Sequence, residues 1–217
     1  MNRREFSAGA ACLVGAAALG WPGFALAQRK PEEGKEFRTL DKRVPVDAPA
    51  GKIEVIEFFW YSCPHCNAFE PKLVSWIKSA PADIVVRRVP VAFRDDFVPQ
   101  QRLFYTLEAM GKLDDLHHKV FASIHGSTKE ALNREELIVA WAEKNGLDKA
   151  KFAETYNSFS VQTKARRATQ LQDAYKVEGV PAMGVAGRYY TDGTMAGTIE
   201  KALQVTDYLI GEARKAK

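Results

Sequence analysis

Two cysteines separated by two residues dominate the chemistry that this sequence can support. They lie in the motif Cys63-Pro64-His65-Cys66, a spacing that lets two thiols form and break a disulfide with little rearrangement. Pro64 favours the start of a helix, because its missing N–H group would have no partner in the first turn. The helix dipole and the free N–H groups at that end stabilise a thiolate. We therefore predict that Cys63 is the attacking thiol and that Cys66 resolves the mixed disulfide.

His65 lies between the two thiols, where its ring is predicted to stabilise the Cys63 thiolate and so make the disulfide more oxidising. Three other roles for the motif are disfavoured. Two cysteines supply half of a four-ligand zinc site, and the histidines lack a finger spacing. Haem c attachment needs His directly after the second cysteine, where this chain has Asn67. A structural disulfide that closes so small a ring would stabilise little. We predict a redox pair and no metal.

Glu57 interrupts a β-branched and aromatic stretch, residues 53–59, that is typical of a strand buried on both faces. A carboxylate there loses its hydration, which is costly unless it is paired or protonated. Two hypotheses remain open. Glu57 carries protons for the thiols, or it forms a structural ion pair with Arg87 or Arg88 from the following strand.

The segments around the motif predict an α/β fold. The strand at residues 53–59 precedes the helix that starts at the cysteine motif, and a second apolar strand follows in residues 82–93. These three elements are expected to form a parallel βαβ unit with a right-handed crossover. Residues 94–180 then show helical periodicity almost throughout. The last helix in this stretch is predicted to begin at Ser160 and to stop at Gly179.

Strand character returns after this helical stretch. Val180-Pro181 opens the region, and a proline in such a place most often marks the start of a strand. Residues 182–190 and 195–198 are predicted to form a hairpin around the pair Asp192-Gly193, because Asp-Gly is a common two-residue turn. A terminal helix is expected to close the chain, with basic residues near its C-terminal end.

Residues 1–27 have the composition of a secretory signal. Arg3 and Arg4 precede a segment rich in Ala, Gly and Leu, and residues 25–27 supply the small residues of a cleavage site. The apolar run is shorter than the ~20 residues of a spanning helix, which disfavours a membrane anchor. The paired arginines leave both general secretory and twin-arginine export open. Removing the leader also removes Cys12, so the mature chain keeps two cysteines in an oxidising compartment.

The charge pattern disfavours nucleic-acid binding. The chain carries 31 basic and 27 acidic residues, for a formal net charge of +4, and the two signs are interleaved along most of its length. It has no long run of Lys or Arg of the kind that binds nucleic acid. It also has no internal repeat and no nucleotide-binding glycine motif.

The sequence resembles the DsbA family of periplasmic thiol:disulfide interchange proteins, in the thioredoxin superfamily. The resemblance extends from about residue 30 to the end of the chain. It rests on three motifs: Glu57-Phe58-Phe59, Cys63-Pro64-His65-Cys66 and Gly179-Val180-Pro181-Ala182-Met183. It implies a thioredoxin-like fold with an inserted α-helical domain, a cis-proline at Pro181 beside the client-binding residue Val180, and a buried acid at Glu57 with a basic partner at Arg88. Two residues, Pro71 and Gly184, depart from those usual in the family.

The resemblance also implies the domains and the function. Residues 28–93 and 178–217 are expected to form the thioredoxin-like domain, and residues 94–177 the inserted helical domain. The expected function is that of a periplasmic, monomeric oxidoreductase without a cofactor, which donates the Cys63–Cys66 disulfide to reduced, newly exported proteins. A DsbB-type membrane quinone reductase would then reoxidise it.

Two alternatives to this function stay open. The first is a disulfide isomerase or reductase of the same superfamily; such isomerases usually carry an N-terminal dimerisation domain, and they tend to have Thr where this chain has Val180. The second is a non-catalytic peptide-binding module, which the retained cysteine pair disfavours.

Overall fold

The computed structural model describes residues 29–216, so the predicted signal at residues 1–27 and Cys12 lie outside the described residues. A five-stranded sheet forms the centre of this region, in the order β1-β5-β4-β2-β3. The strands are β1 (Arg38–Thr39), β2 (Ile53–Phe59), β3 (Ile84–Pro90), β4 (Ala182–Val185) and β5 (Tyr189–Asp192).

Strand β2 is covered on both faces, as its apolar sequence predicts. It pairs parallel with β3 and antiparallel with β4, and all seven of its residues are buried. Ile56 and Phe58 belong to one buried apolar cluster, whereas Ile53 and Val55 belong to a second cluster. Successive side chains of a strand point to opposite faces, so β2 joins the two halves of the core.

The helices occupy three places along the described chain. Helix α1 (Pro64–Ser79) connects β2 to β3 and completes the predicted βαβ unit. Five α-helices follow β3 and precede β4: α2 (Val98–Ala109), α3 (Leu113–His125), α4 (Glu135–Lys144), α5 (Lys149–Tyr156) and α6 (Phe159–Ala174). Two more, α7 (Gly193–Ala196) and α8 (Ile199–Lys215), follow β5. Within residues 29–216, no helix has the length and apolar character needed to cross a membrane.

Helix α1 begins where the sequence predicts. Cys63 is its N-cap residue and Pro64 its first helical residue, and the helix continues through Pro71. Phe69 and Leu73 lie on its buried face, in the same apolar cluster that covers one side of the sheet. Burial of this face fixes the helix against the sheet, so the cysteine motif is held at the end of a packed element.

The predicted hairpin turn at Asp192-Gly193 is wrong. Strands β4 and β5 pair antiparallel, but the chain reverses at Ala186 and Gly187, which have φ angles of 54° and 66°. A Cβ atom at position 187 would lie 2.0 Å from a backbone carbonyl oxygen, so this turn requires glycine. Asp192 instead accepts a hydrogen bond from the Met195 N–H group and caps α7. Residues 195–198 therefore do not form the predicted strand.

The predicted bounds of the last inserted helix are also wrong. The N-cap of α6 is Ser158 rather than Ser160, and its side chain accepts a hydrogen bond from the backbone N–H of Val161. Serine at either position offers the same cap chemistry, so the local sequence does not distinguish the two. The helix ends at Ala174 rather than Gly179, because Lys176 takes the left-handed conformation, with φ of 52°, that glycine more often supplies.

Gly184, which departs from the family pattern, faces a buried tyrosine. A Cβ atom at this position would lie 2.5 Å from Cε1 of Tyr175. The Tyr175 ring is fully buried and packs against Phe58, with ring centroids 5.2 Å apart. The glycine therefore makes room in the core for a ring that comes from the end of the helical insertion.

Candidate active site

Cys63 and Cys66 come together at the N-terminus of α1. The backbone N–H of Cys66 donates a hydrogen bond to Cys63 Sγ at 3.4 Å, and both cysteines are free thiols. Cys66 is fully buried, Cys63 keeps 7% of its surface exposed, and Pro64 and His65 are exposed. A thiolate that arrives from solvent therefore meets Cys63 and not Cys66.

The site shifts the pKa values of the two thiols in opposite directions. The pKa of Cys63 is lowered to about 6, chiefly by a hydrogen bond from the Cys66 side chain; burial opposes this, and the backbone N–H groups of Cys66 and His65 assist it. The charge of His65 makes a smaller contribution in the same direction. Burial raises the pKa of Cys66 well above its usual range, and its interactions with Cys63 and Glu57 raise it further. At neutral pH Cys63 is mostly a thiolate and Cys66 a thiol.

Val180 and Pro181 lie beside the reactive sulfur. The peptide bond between them is cis, as the resemblance implies, and Cys63 Sγ lies 3.5 Å from the Val180 carbonyl oxygen, to which it donates a hydrogen bond when it is protonated. Both residues line a groove of about 630 Å³, together with His65 and Met195. The groove thus places the half-buried Val180 next to Cys63, an arrangement suited to an extended peptide.

Glu57 is fully buried and paired with Arg88. Arg88 Nη1 donates to Glu57 Oε2 at 3.1 Å, so the predicted ion pair forms with this arginine. The other carboxylate oxygen, Oε1, has no hydrogen-bond partner among the described residues. Arg88 also forms a two-pronged contact with Glu70, in which Nη2 donates to Oε1 at 2.9 Å and Nη1 contacts Oε2. Two carboxylates therefore share one guanidinium.

The pKa values of Glu57 and Glu70, which share Arg88, shift in opposite directions. Burial raises the pKa of Glu57, and the charge of Arg88 offsets only part of this rise. Burial would also raise the pKa of Glu70, but its contacts with His117 and Arg88 and the charge of Arg88 outweigh burial and hold this pKa below its usual range. Glu70 is therefore the permanently charged partner of Arg88, and Glu57 is the group of the pair that can exchange a proton near neutral pH.

His117 extends this buried network towards the cysteine motif. Arg88 Nη1 lies 2.8 Å from His117 Nε2, and because a guanidinium can only donate, the ring nitrogen accepts. Burial lowers the pKa of His117, in keeping with a neutral ring. Its Nδ1 lies 2.8 Å from the hydroxyl of Tyr61, two residues before Cys63.

Four polar residues at the site carried no recognisable signal in the sequence. In the sequence Glu70 has the pattern of an ordinary helix residue, and His117 and His125 lack the spacing of a zinc finger. Gln100 lies 38 positions from its partner Ser62, so nothing local marks it. Each of these residues contacts the site only in the folded structure, where α1, α2 and α3 pack against the end of β2.

Comparisons with known proteins agree with this geometry. The family model for the DSBA-like thioredoxin domain matches residues 54–204. The thiol:disulfide interchange protein DsbA of Bordetella pertussis is 42% identical over 204 residues, which span 94% of this chain and 96% of that protein. The protein of the same name from Pseudomonas aeruginosa is 45% identical over 183 residues, which span 84% of this chain and 86% of that protein.

Solved structures show the same fold. The crystal structure of Pseudomonas aeruginosa DsbA superposes with a TM-score of 0.78 at 44% identity and covers 84% of this chain and 94% of that one. The oxidoreductase DsbA from Xylella fastidiosa superposes with a TM-score of 0.79 at 28% identity, over 86% of this chain and all of that one. The sheet and its helical insertion are thus a thioredoxin-like fold. The chain belongs to the DSBA-like thioredoxin domain family and is a thiol:disulfide oxidoreductase.

Proposed function

We propose that this protein is a periplasmic oxidant that donates the Cys63–Cys66 disulfide to reduced, newly exported proteins. One observation carries the proposal: the accessible thiol has its pKa lowered to about 6, while the pKa of its buried partner is raised. A stabilised Cys63 thiolate favours the reduced form of the protein, so its disulfide readily accepts electrons from client thiols.

The reaction proceeds by two thiol–disulfide exchanges. A client thiolate attacks Cys63 Sγ, the bond between Cys63 and Cys66 breaks, and its electron pair leaves with Cys66. A second client thiolate then attacks the client sulfur of the mixed disulfide, and Cys63 leaves as a thiolate. The client loses two electrons and forms a disulfide, and the protein gains both electrons. If the second client thiol is slow, Cys66 reverses the first step and frees the client.

Glu57 is the proposed proton donor to Cys66. The leaving Cys66 sulfur takes up a proton because its pKa is raised, yet it is fully buried and cannot take one directly from solvent. Glu57 is the nearby acid whose pKa is also raised, so it can hold a proton at neutral pH and release it when Cys66 leaves. The hydrogen bond that it accepts from Arg88 keeps the carboxyl group in place in either protonation state. The structural and the proton-carrying hypotheses are therefore compatible.

The groove at Val180 and Pro181 is the proposed client site. An extended client segment would use backbone hydrogen bonds there, which suits an enzyme that must accept many sequences. Pro64 sets the start of the helix, and His65 adds to the stabilisation of the thiolate.

The cellular setting and the domain bounds form part of the proposal. Residues 1–27 direct export and are removed, residues 28–93 and 178–217 form the thioredoxin-like domain, and residues 94–177 form the inserted helical domain. The mature protein acts as a monomer without a cofactor. Family membership supports reoxidation by a DsbB-type membrane quinone reductase.

The direct test is oxidation of a reduced, unfolded client that contains two cysteines. The oxidised wild-type protein should form one client disulfide per molecule, and Cys63→Ser should lose this activity completely. Cys66→Ser has no disulfide to donate, but when it is mixed with the oxidised client its Cys63 thiolate should break the client disulfide and release one client sulfur as a thiolate. This variant should accumulate as a mixed disulfide, because the Cys66 thiol that would resolve it is absent. Client oxidation by Cys63→Ser would overturn the proposal and favour a binding module. Repair of a scrambled client disulfide without net oxidation would favour an isomerase.

A further inference from the structure

A tight turn at residues 60–63 leads from β2 into the active-site helix. The Cys63 N–H donates to the Trp60 carbonyl oxygen at 3.0 Å, so Tyr61 and Ser62 occupy the two central positions of the turn. Groups at these positions lie outside both the sheet ladder and the helix. The position of Cys63 therefore depends on what else holds the turn.

Gln100 of α2 holds Ser62 through two hydrogen bonds. The Ser62 N–H donates to Gln100 Oε1 at 3.2 Å, and Gln100 Nε2 donates to Ser62 Oγ at 2.6 Å. Gln100 is only 2% exposed, so water does not compete freely for these bonds. A side chain of the helical insertion is thus hydrogen-bonded to Ser62, the residue next to the reactive cysteine.

Two histidines of α3 hold Tyr61 from the same side. His125 Nε2 donates to the Tyr61 carbonyl oxygen at 2.8 Å, and His117 Nδ1 lies 2.8 Å from the Tyr61 hydroxyl. Together with Gln100, they engage the backbone and the side chain of both central residues of the turn.

We propose that Gln100, assisted by His125, is a positioning residue for the thiol chemistry: it sets where Cys63 Sγ lies over the N-terminus of α1. Within residues 29–216 neither side chain is hydrogen-bonded to a sulfur, so each acts through Ser62 or Tyr61. The inference rests on the proposed role of Cys63 and adds to it that the helical insertion tunes the thiolate.

The contacts of Cys63 make such positioning necessary. Its sulfur lies 3.4 Å from the Cys66 nitrogen and 3.5 Å from the Val180 oxygen, both within the hydrogen-bonding range of sulfur, and such bonds weaken as distance and angle depart from this geometry. A displacement of a few tenths of an ångström would weaken the N–H contact that stabilises the thiolate. Loss of the Gln100 grip should therefore raise the pKa of Cys63 and make the disulfide less oxidising.

The test compares Gln100→Ala with Gln101→Ala. Gln101 is the adjacent buried residue of α2, but its Nε2 donates to the Pro90 carbonyl and to Thr169 and not to the turn. Both variants should lower thermal stability. Only Gln100→Ala should shift the ultraviolet titration of the Cys63 thiolate to higher pH and should lower the equilibrium constant for oxidation of glutathione, by roughly threefold or more, the size expected for one or two lost hydrogen bonds.

Substitutions of His125 test the same positioning role independently, even if the Gln100 variant folds poorly. His125→Ala should shift the same titration in the same direction. His125→Gln should restore it in part, because a glutamine amide can donate from about the position of Nε2.

Three results would overturn the inference: wild-type titrations for both Gln100→Ala and His125→Ala, an equal shift for Gln101→Ala, or no recovery with His125→Gln. A wild-type protein that titrates as described yet fails to oxidise clients would instead contradict the proposed function and leave the positioning role standing.

Discussion

Cys63 Sγ and the carbonyl oxygen of Val180 lie 3.5 Å apart, although 117 positions of sequence separate them. The five helices of the insertion leave the sheet after β3 and return the chain to it at this point. The reactive sulfur therefore faces the segment that ends the insertion. A client held against Val180 would present its own sulfur directly to Cys63.

The stability of the reduced protein should depend on pH through Cys63. Its pKa in the folded protein is about 6, below the ordinary 9.0, so folding favours the thiolate. For a depressed pKa, the stabilisation is present above the unfolded value and is lost as pH falls through the folded value. The unfolding free energy of the reduced form, relative to the oxidised form, should rise from pH 6 to pH 8 by up to about 1.4 kcal/mol per pH unit.

Denaturant unfolding of both redox forms across this pH range measures the effect. Reduced Cys63→Ser is the control and should lose the additional slope, because it lacks the titrating thiol. A reduced protein whose relative stability is flat with pH would show that Cys63 is not a stabilised thiolate.

Replacement of His65 should weaken the oxidant without abolishing it. His65→Ala removes a nearby charge that favours the Cys63 thiolate, but it keeps the backbone N–H group at that position. A neighbouring positive charge is worth at most about one pKa unit here, so the equilibrium with glutathione should shift by up to about tenfold, or about 30 mV, towards a less oxidising protein. An unchanged equilibrium would refute the tuning role of the ring.

Glu57→Gln should slow the exchange step that breaks the bond to Cys66. Glutamine can still accept a hydrogen bond from Arg88, but it cannot give a proton to the leaving sulfur. Stopped-flow reduction of the disulfide by a small thiol should slow by roughly tenfold or more at neutral pH.

Glu54→Gln is the matched control for Glu57→Gln. Glu54 lies on the same strand, is 2% exposed and likewise has one carboxylate oxygen without a hydrogen-bond partner among the described residues. Its exchange rate should equal that of the wild type. Equal exchange rates for the wild type, Glu57→Gln and Glu54→Gln would show that Glu57 donates no proton to Cys66 and has only a structural role beside Arg88.

Gly184→Ala should destabilise the protein through Tyr175. The added methyl group would meet the ring at 2.5 Å, and overpacking of this kind costs about 1–3 kcal/mol. Gly211→Ala provides the comparison, because a Cβ atom there meets nothing within 4 Å in the middle of α8; it should be neutral or slightly stabilising. Thermal unfolding of the two variants distinguishes them. A Gly184→Ala protein as stable as the wild type would show that Tyr175 moves freely.

The sequence was sufficient to predict the parts of the molecule that follow local rules. The buried strand at residues 53–59, the helix start at Pro64 and the long helical stretch all have strong periodic or capping signals. The hairpin turn was misplaced because Asp192 satisfies a helix cap as well as it would a turn. The true turn depends on a backbone contact at Gly187 that no local pattern reveals.

The site was predictable only where its members are close in sequence. Cys63, Cys66 and His65 share one motif, and Glu57 stands out as an acid in an apolar strand. The partners that hold them come from packing between elements: Glu70 shares Arg88 with Glu57, and Gln100 grips the turn before Cys63 from a helix of the insertion. Such contacts exist only in the folded chain.

The redox equilibrium of the wild-type protein with glutathione tests the central claim most directly. A thiolate at Cys63 with its pKa lowered to about 6 predicts that the reduced protein is strongly favoured, so a small excess of reduced glutathione should reduce the disulfide almost completely. The protein would then be a stronger oxidant than the glutathione couple. A disulfide that stays oxidised in a large excess of reduced glutathione would contradict this account and would identify a reductant instead.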